Sequence, residues 1–216
     1  MSKEESLHKI WKSAKRLEEK TEARRFEYVA DQVKGKKVLD VGSLDARILK
    51  FLKKEVDYTS VDTREDFNKR LRKIGVKAIT MNVCKESLPF PNNTFDTVIM
   101  GEIIEHLENP IFVLKEVKRV LKDDGVLVGT TPNICNLQHL IYSVIFKPEK
   151  RHHRTPSHIY AFGDEELGNL LRVVEFKDIE INRICSRLPH VQINLPDIGL
   201  FKIFSPYYLF VCKKGI

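Results

Sequence analysis

The chain has 216 residues, 42% of them hydrophobic, enough for one ordinary core and too few for a second full domain. No run of roughly 18 uninterrupted apolar residues occurs, and the N-terminal stretch MSKEESLHKIWK lacks the apolar core of a secretory signal. A formal charge of +7 and a pI near 9.1 bring a phosphate-rich partner into range. Four separated cysteines, Cys84, Cys135, Cys185 and Cys212, contain no Cys-x-x-Cys pair, so reduced thiols and a cytoplasmic location are expected.

The first 35 residues read as a helical segment. Leu7, Ile10, Trp11, Ala14 and Leu17, then Phe26, Val29, Ala30 and Val33, recur at helical spacing and predict one or two amphipathic helices. Eleven Lys or Arg and seven Asp or Glu lie in the first 37 residues and read mostly as a solvated face. Short apolar runs then alternate with helical stretches, as a doubly wound α/β sheet requires. Strands are expected at 36–41, 58–61, 76–81, 95–100 and 125–130, with two more at 175–184 and 207–213. A helix should start at Asn109-Pro110 and bury Val113, Leu114, Val117, Val120 and Leu121.

The segment KKVLDVGSLDARILKFLKKEVDYTSVD, residues 36–62, carries the strongest functional signal. Its first strand ends at Asp40-Val41-Gly42, a helical stretch follows, and a second strand ends at Asp62. An acid placed there can accept the hydroxyls of an adenosine ribose. A dinucleotide loop needs glycine at its first, third and sixth positions, but here these are Gly42, Leu44 and Arg47. Asp40 would also repel a pyrophosphate. S-adenosylmethionine (SAM), with a sulfonium, an ammonium and a ribose diol, suits Asp40 and Asp62 better. Each acid has a local alternative as a turn former.

From about Lys36 almost to the C-terminus, the chain resembles the class I SAM-dependent methyltransferases. Val38–Gly42 resembles their first motif, although Leu44 and Ala46 stand where later glycines are usual. Leu88-Pro89-Phe90, Phe95-Asp96, Glu105-His106-Leu107 and Thr131-Pro132-Asn133 follow in the family's order. The resemblance implies a Rossmann-like seven-stranded sheet, with a methyltransferase domain over 36–216 and an antiparallel strand pair at one edge. It also implies SAM contacts from Asp40, Gly42, Ser43, Leu44, Asp62, Asn82, Val83 and Glu102. An N-terminal helix lies over the cofactor in many such enzymes, and Trp11 or Phe26 would suit that place; an ordinary core position is expected for both.

For the chemistry, His106 is the first candidate base and His158 the second, with Glu105 beside them. Glu102, Glu105 and His106 have the spacing of one helical face. With His158, or one of His152 and His153, they resemble the metal site of small-RNA 3′-end 2′-O-methyltransferases, yet the same motif layout occurs in methyltransferases of small molecules, lipids and sugars, and no metal is expected. The acceptor is a small molecule or RNA. Lys147, Lys150, Arg151 and Arg154, set against the single acid Glu149 and beside His152 and His153, could hold RNA or another phosphorylated substrate. Residues 186–206 form a second insertion suited to a lid or partner surface. The alternative is a non-catalytic module that binds another protein, for which Leu44, Ala46 and Asn82 speak.

Overall fold

A computed structural model describes residues 21–137, 157–186 and 195–215. Seven strands form one sheet: β1 (Lys37–Val41), β2 (Asp57–Asp62), β3 (Lys77–Thr80), β4 (Phe95–Gly101), β5 (Leu121–Pro132), β6 (Lys177–Ile184) and β7 (Tyr207–Lys213). Their order is β3-β2-β1-β4-β5-β7-β6. The first five pair in parallel, and β7 runs antiparallel to both β5 and β6. Chain order reverses between β1 and β4, which opens a crevice at the carboxyl ends of these strands.

Strand alternation sorts the apolar side chains into two layers. On one face, Leu39 and Leu127 pack with helices α3 (Pro110–Val120) and α4 (Asp164–Val173) through Val113, Leu114, Val117, Leu167 and Leu171. On the other, Val38, Val126 and Val128 meet α1 (21–31 among the described residues) and α2 (Glu65–Lys73), with Val29, Ala30, Val33 and Leu71 buried. The start of α3 follows its sequence signature. Asn109 Oδ1 accepts a hydrogen bond from the Phe112 N–H at 3.1 Å, and Pro110 occupies the first turn, where no N–H is needed.

Two differences from the sequence reading concern the region before β2. The helical stretch expected between β1 and β2 is only a one-turn 3-10 segment, Arg47–Lys50. Leu44 and Ala46 both have left-handed backbone, with φ of 46° and 52°, so helical geometry cannot begin until Arg47. The first helical region is also not simply a solvated face, because Arg25 of α1 is buried. Leu7, Ile10, Trp11, Ala14 and Leu17 lie outside the described residues, as do Lys147, Lys150, Arg151, His152, His153 and Arg154. No helix among the described residues is long and apolar enough to cross a membrane.

Candidate active site

Strand ends β1, β2 and β4, the loop after β3, and α1 surround a cavity of about 730 Å³ at the carboxyl edge. Asp40, Gly42, Ser43, Leu44, Asp62, Asn82, Val83, Glu102 and His106 all line it. Gly42, with φ of 76°, donates its N–H to the Val61 carbonyl at 2.8 Å. A Cβ at this position would meet Ile103 Cδ1 at 2.3 Å, the movable end of a side chain, so the left-handed backbone is the main reason for glycine here.

Asp62 ties this loop to β2. Its Oδ2 accepts the Leu44 N–H at 2.9 Å, and its Oδ1 accepts the Arg64 N–H at 2.8 Å. The second bond is the local turn expected of a strand-end Asp. An ionised carboxylate has about four acceptor positions, so capacity remains for ribose hydroxyls. Ser43 Oγ lies 2.5 Å from Ser60 Oγ, securing the next loop residue.

Asp40 is buried and accepts a hydrogen bond from the Tyr58 hydroxyl. Burial pushes its pKa up to about 7, against the lowering effect of that bond; the Asp62 charge raises it further and Arg25 lowers it. Asn82 accepts the Cys84 N–H at 3.0 Å through Oδ1, closing the turn after β3. This position is thus fixed by its own backbone as well as facing the cavity.

The β4 end is arranged differently. Glu102 has a left-handed backbone, φ 53°, and its N–H donates to the Thr130 carbonyl at 2.9 Å. Its Oε1 is buried without a hydrogen-bond partner among the described residues. Burial raises its pKa, against lowering effects from the Arg25 charge and the nearby Thr130 hydroxyl. Glu105 is only 2% exposed, accepts the Thr131 hydroxyl at 3.0 Å through Oε2, and leaves Oε1 without a hydrogen-bond partner among the described residues. Burial and then the Glu102 charge push its pKa up to about 8.

His106 Nδ1 lies 2.9 Å from the Ser157 carbonyl. A carbonyl only accepts, so Nδ1 carries the proton and, in the neutral ring, Nε2 holds the lone pair. That Nε2 is 3.9 Å from Glu105 Oε1. The His158 ring meets His106 edge-on at 4.6 Å, and burial, followed by the nearby His106, lowers its pKa. Glu105 and His158 therefore back His106 without lining the cavity themselves.

One potential ligand atom each from Glu105, His106 and His158 lies within 4.8 Å of the others. Glu102 does not join them. The expected common helical face is absent because Ile104–His106 is a 3-10 turn entered from the left-handed Glu102. A cation at this trio would face one buried carboxylate and two imidazoles.

A family model described as a methyltransferase domain matches residues 39–129. The chain is 29% identical over 219 residues to a demethylmenaquinone methyltransferase of a Geobacillus species, covering 83% of this chain and 92% of that protein. It is 27% identical over 170 residues to the rat mitochondrial protein named arginine-hydroxylase NDUFAF5, covering 77% and 48% respectively. The chain spans about half the length of the hydroxylase relatives it matches. Among solved structures, a Thermotoga maritima SAM-dependent methyltransferase, titled a possible histamine N-methyltransferase, has a TM-score of 0.68 at 20% identity, covering 89% and 88%. Residues 39–129 match the methyltransferase domain family, and the fold is that of SAM-dependent methyltransferases.

Around this cavity, the structure brings in residues the sequence reading had not named. Glu22 and Arg25 from α1, and Tyr207 from the start of β7, line the cavity. Phe26 lines it too while packing on the core and stacking on Phe51 at 5.4 Å, so its expected core position holds only in part. A helical spacing signal could place Arg25 on α1 but could not show that α1 turns this face toward the strand ends.

Proposed function

We propose that the protein binds SAM in this cavity and transfers its methyl group to an acceptor approaching past His106. The convergence of Asp40, Asp62, Glu102 and His106 from three strand ends on one cavity supports this reading. Asp62 and the Gly42 loop would hold the adenosine half, with Asn82 and Val83 beside the base. The acids at β1 and β4 make the cavity favourable to a cationic ligand. SAM supplies a sulfonium methyl already activated for in-line displacement. The chain's own tasks are to align the nucleophile and, where a proton must leave, to receive it.

His106 would receive that proton at Nε2, while the Ser157 carbonyl holds its tautomer. Glu105 and His158 would position it. This scheme uses no metal. The described part of the 1–35 segment, α1, would flank the cofactor site of the 36–216 domain, and four cysteines outside any disulfide suit a reducing compartment such as the cytoplasm.

The left-handed Leu44 and Ala46 give a specific argument against the non-catalytic alternative. Both occupy positions where related enzymes favour glycine, yet the backbone takes a conformation suited to glycine. The acceptor class, a small molecule or RNA, is tested by transfer of labelled methyl from SAM into separated metabolite, RNA and protein pools. Label in one pool, lost in His106→Ala, identifies it. No label in any pool, with bound SAM demonstrated, would contradict the transferase reading.

A further inference from the structure

Residues 195–206, on the connection from β6 to β7 at the carboxyl edge, turn their polar groups inward and their apolar groups outward. Asp197 Oδ1 accepts the Ser186 N–H at 2.5 Å, while Oδ2 accepts the Cys185 N–H at 2.9 Å and the Tyr28 hydroxyl at 2.5 Å. Ser205 is buried, its hydroxyl 2.7 Å from Ser186 Oγ and its carbonyl accepting from Asn133 Nδ2 at 2.9 Å. Between these anchors the 3-10 segment Gly199–Phe204 buries no residue. Ile198, Leu200, Phe201 and Ile203 are exposed, Leu200 by 84%. Folding usually buries such side chains and leaves carboxylates in water. Here hydrogen bonds at both ends hold the reverse arrangement in place.

A second exposed apolar pair meets this row at the end of β5. Asn133 forms a bridge with Phe162 and donates its N–H to the Pro206 carbonyl at 2.8 Å. Two residues before Phe162, Ile159 and Tyr160 are exposed, their N–H groups held by the Glu105 carbonyl at 2.9 and 3.1 Å. Both segments adjoin the cavity, because Tyr207 follows the first and His106 contacts Ser157 of the second. Neither 157–163 nor 198–206 contains an acid. Lys202 stands within the exposed row, and the whole chain carries a formal charge of +7.

We propose that this part of the carboxyl edge docks on an anionic lipid bilayer. Leu200, Phe201 and Ile203 enter the boundary between headgroups and acyl chains, and Lys202 reaches the lipid phosphates along its own apolar stem. Apolar burial and attraction of the net positive chain to the anionic surface act together. A second copy fits less well, since it would bring +7 against +7. A rigid protein partner needs a surface matched in shape, whereas side chains projecting from two separate segments suit a fluid interface that conforms to them. Docked this way, the cavity edge faces the interface.

Co-sedimentation of the full chain with sucrose-loaded vesicles tests the docking, with phosphatidylcholine alone and with phosphatidylcholine and phosphatidylglycerol in equal parts. Wild type should sediment with the anionic vesicles and far more weakly with the zwitterionic ones. The double variant Leu200→Ser, Phe201→Ser should lose roughly tenfold or more of the partition coefficient, and Lys202→Gln about fivefold. Both should keep the wild-type Tm and sedimentation coefficient.

Wild type left in the supernatant with anionic vesicles would overturn the proposal, as would equal binding to the two vesicle types. Equal binding by wild type and the double variant would show only the adsorption of a basic protein, and would overturn it too. A clear fall in the double variant's Tm would mean that the chain itself covers the row. A change from dimer to monomer would mean that a second copy does; either result excludes the bilayer as the occupant. Binding is read without cofactor, so its failure leaves the methyl-transfer reading standing.

Discussion

At the β1–β2 end of the cavity the protein hydrogen-bonds its own carboxylates, whereas at the β4 end two carboxylate oxygens are buried without a donor among the described residues. Asp62 holds the Leu44 and Arg64 N–H groups, and Asp40 holds the Tyr58 hydroxyl. Glu102 and Glu105 each leave Oε1 unpartnered among the described residues. The first pair can therefore shape a loop before any ligand arrives. The second pair stores electrostatic cost that a cation, a proton or a ligand donor can relieve. This contrast separates the end suited to holding adenosine from the end suited to acting on the methyl group.

The largest expected effect lies at the β4 end. His106→Ala should lower methyl transfer about 10²- to 10⁴-fold, the usual range for a general base, with S-adenosylhomocysteine binding little changed. A steady-state assay with and without chelator checks both parts. Chelator should leave wild-type transfer intact. Complete loss in chelator with rescue by Mn²⁺ would instead make Glu105, His106 and His158 a metal centre.

Burial raises a carboxyl pKa at each end, so stability should depend on pH through both. The native pKa values of about 7 for Asp40 and about 8 for Glu105 exceed their ordinary values of 3.8 and 4.5. Between these limits the native state holds protons that the unfolded chain has released, so this contribution is present at the acid side and disappears as pH rises. Asp40→Asn should consequently gain stability relative to wild type from about pH 4 to 8, by about 2–4 kcal/mol. Denaturant melts across this range measure it. A difference independent of pH would show that Asp40 ionises normally.

Asp62→Ala should cost about 2 kcal/mol by releasing two backbone N–H groups, lowering Tm by roughly 4–8 °C. It should also remove most of the further Tm rise produced by S-adenosylhomocysteine. A normal ligand response in this variant would confine Asp62 to the turn. The smallest effect is expected at the loop itself. Leu44 is 47% exposed at φ 46°, so Leu44→Gly should relieve backbone strain at little cost in burial. A net gain of about 0.5–1 kcal/mol, seen as a small rise in Tm, is expected. A fall would mean that the leucine side chain contributes more than its backbone conformation costs.

Sequence carried much of the fold because strands that are buried on both faces leave continuous apolar runs, and the β1 and β2 runs end in the two acids. The helix after Asn109-Pro110 is equally local, since its cap and first turn are written in adjacent residues. The β1–β2 connection is less legible. Arg47–Lys50 looks helical in composition, but the left-handed Leu44 and Ala46 ahead of it are tertiary choices tied to Asp62. Arg25 is less legible still. Its charge reads as solvated until α1, Thr130 and Tyr207 are seen to meet. The regular spacing of Glu102, Glu105 and His106 gave the opposite error, because spacing implies one face only if the intervening backbone is helical.

The central claim is that this carboxyl-edge cavity is a SAM site, and thermal unfolding of the wild-type protein with added ligand tests it most directly. A ligand of the native state raises Tm in proportion to the logarithm of its concentration above Kd. S-adenosylhomocysteine should raise Tm in this logarithmic, concentration-dependent way, while NAD should not. A protein whose Tm is unmoved by both SAM and S-adenosylhomocysteine at millimolar concentration, or is raised by NAD instead, would contradict the account.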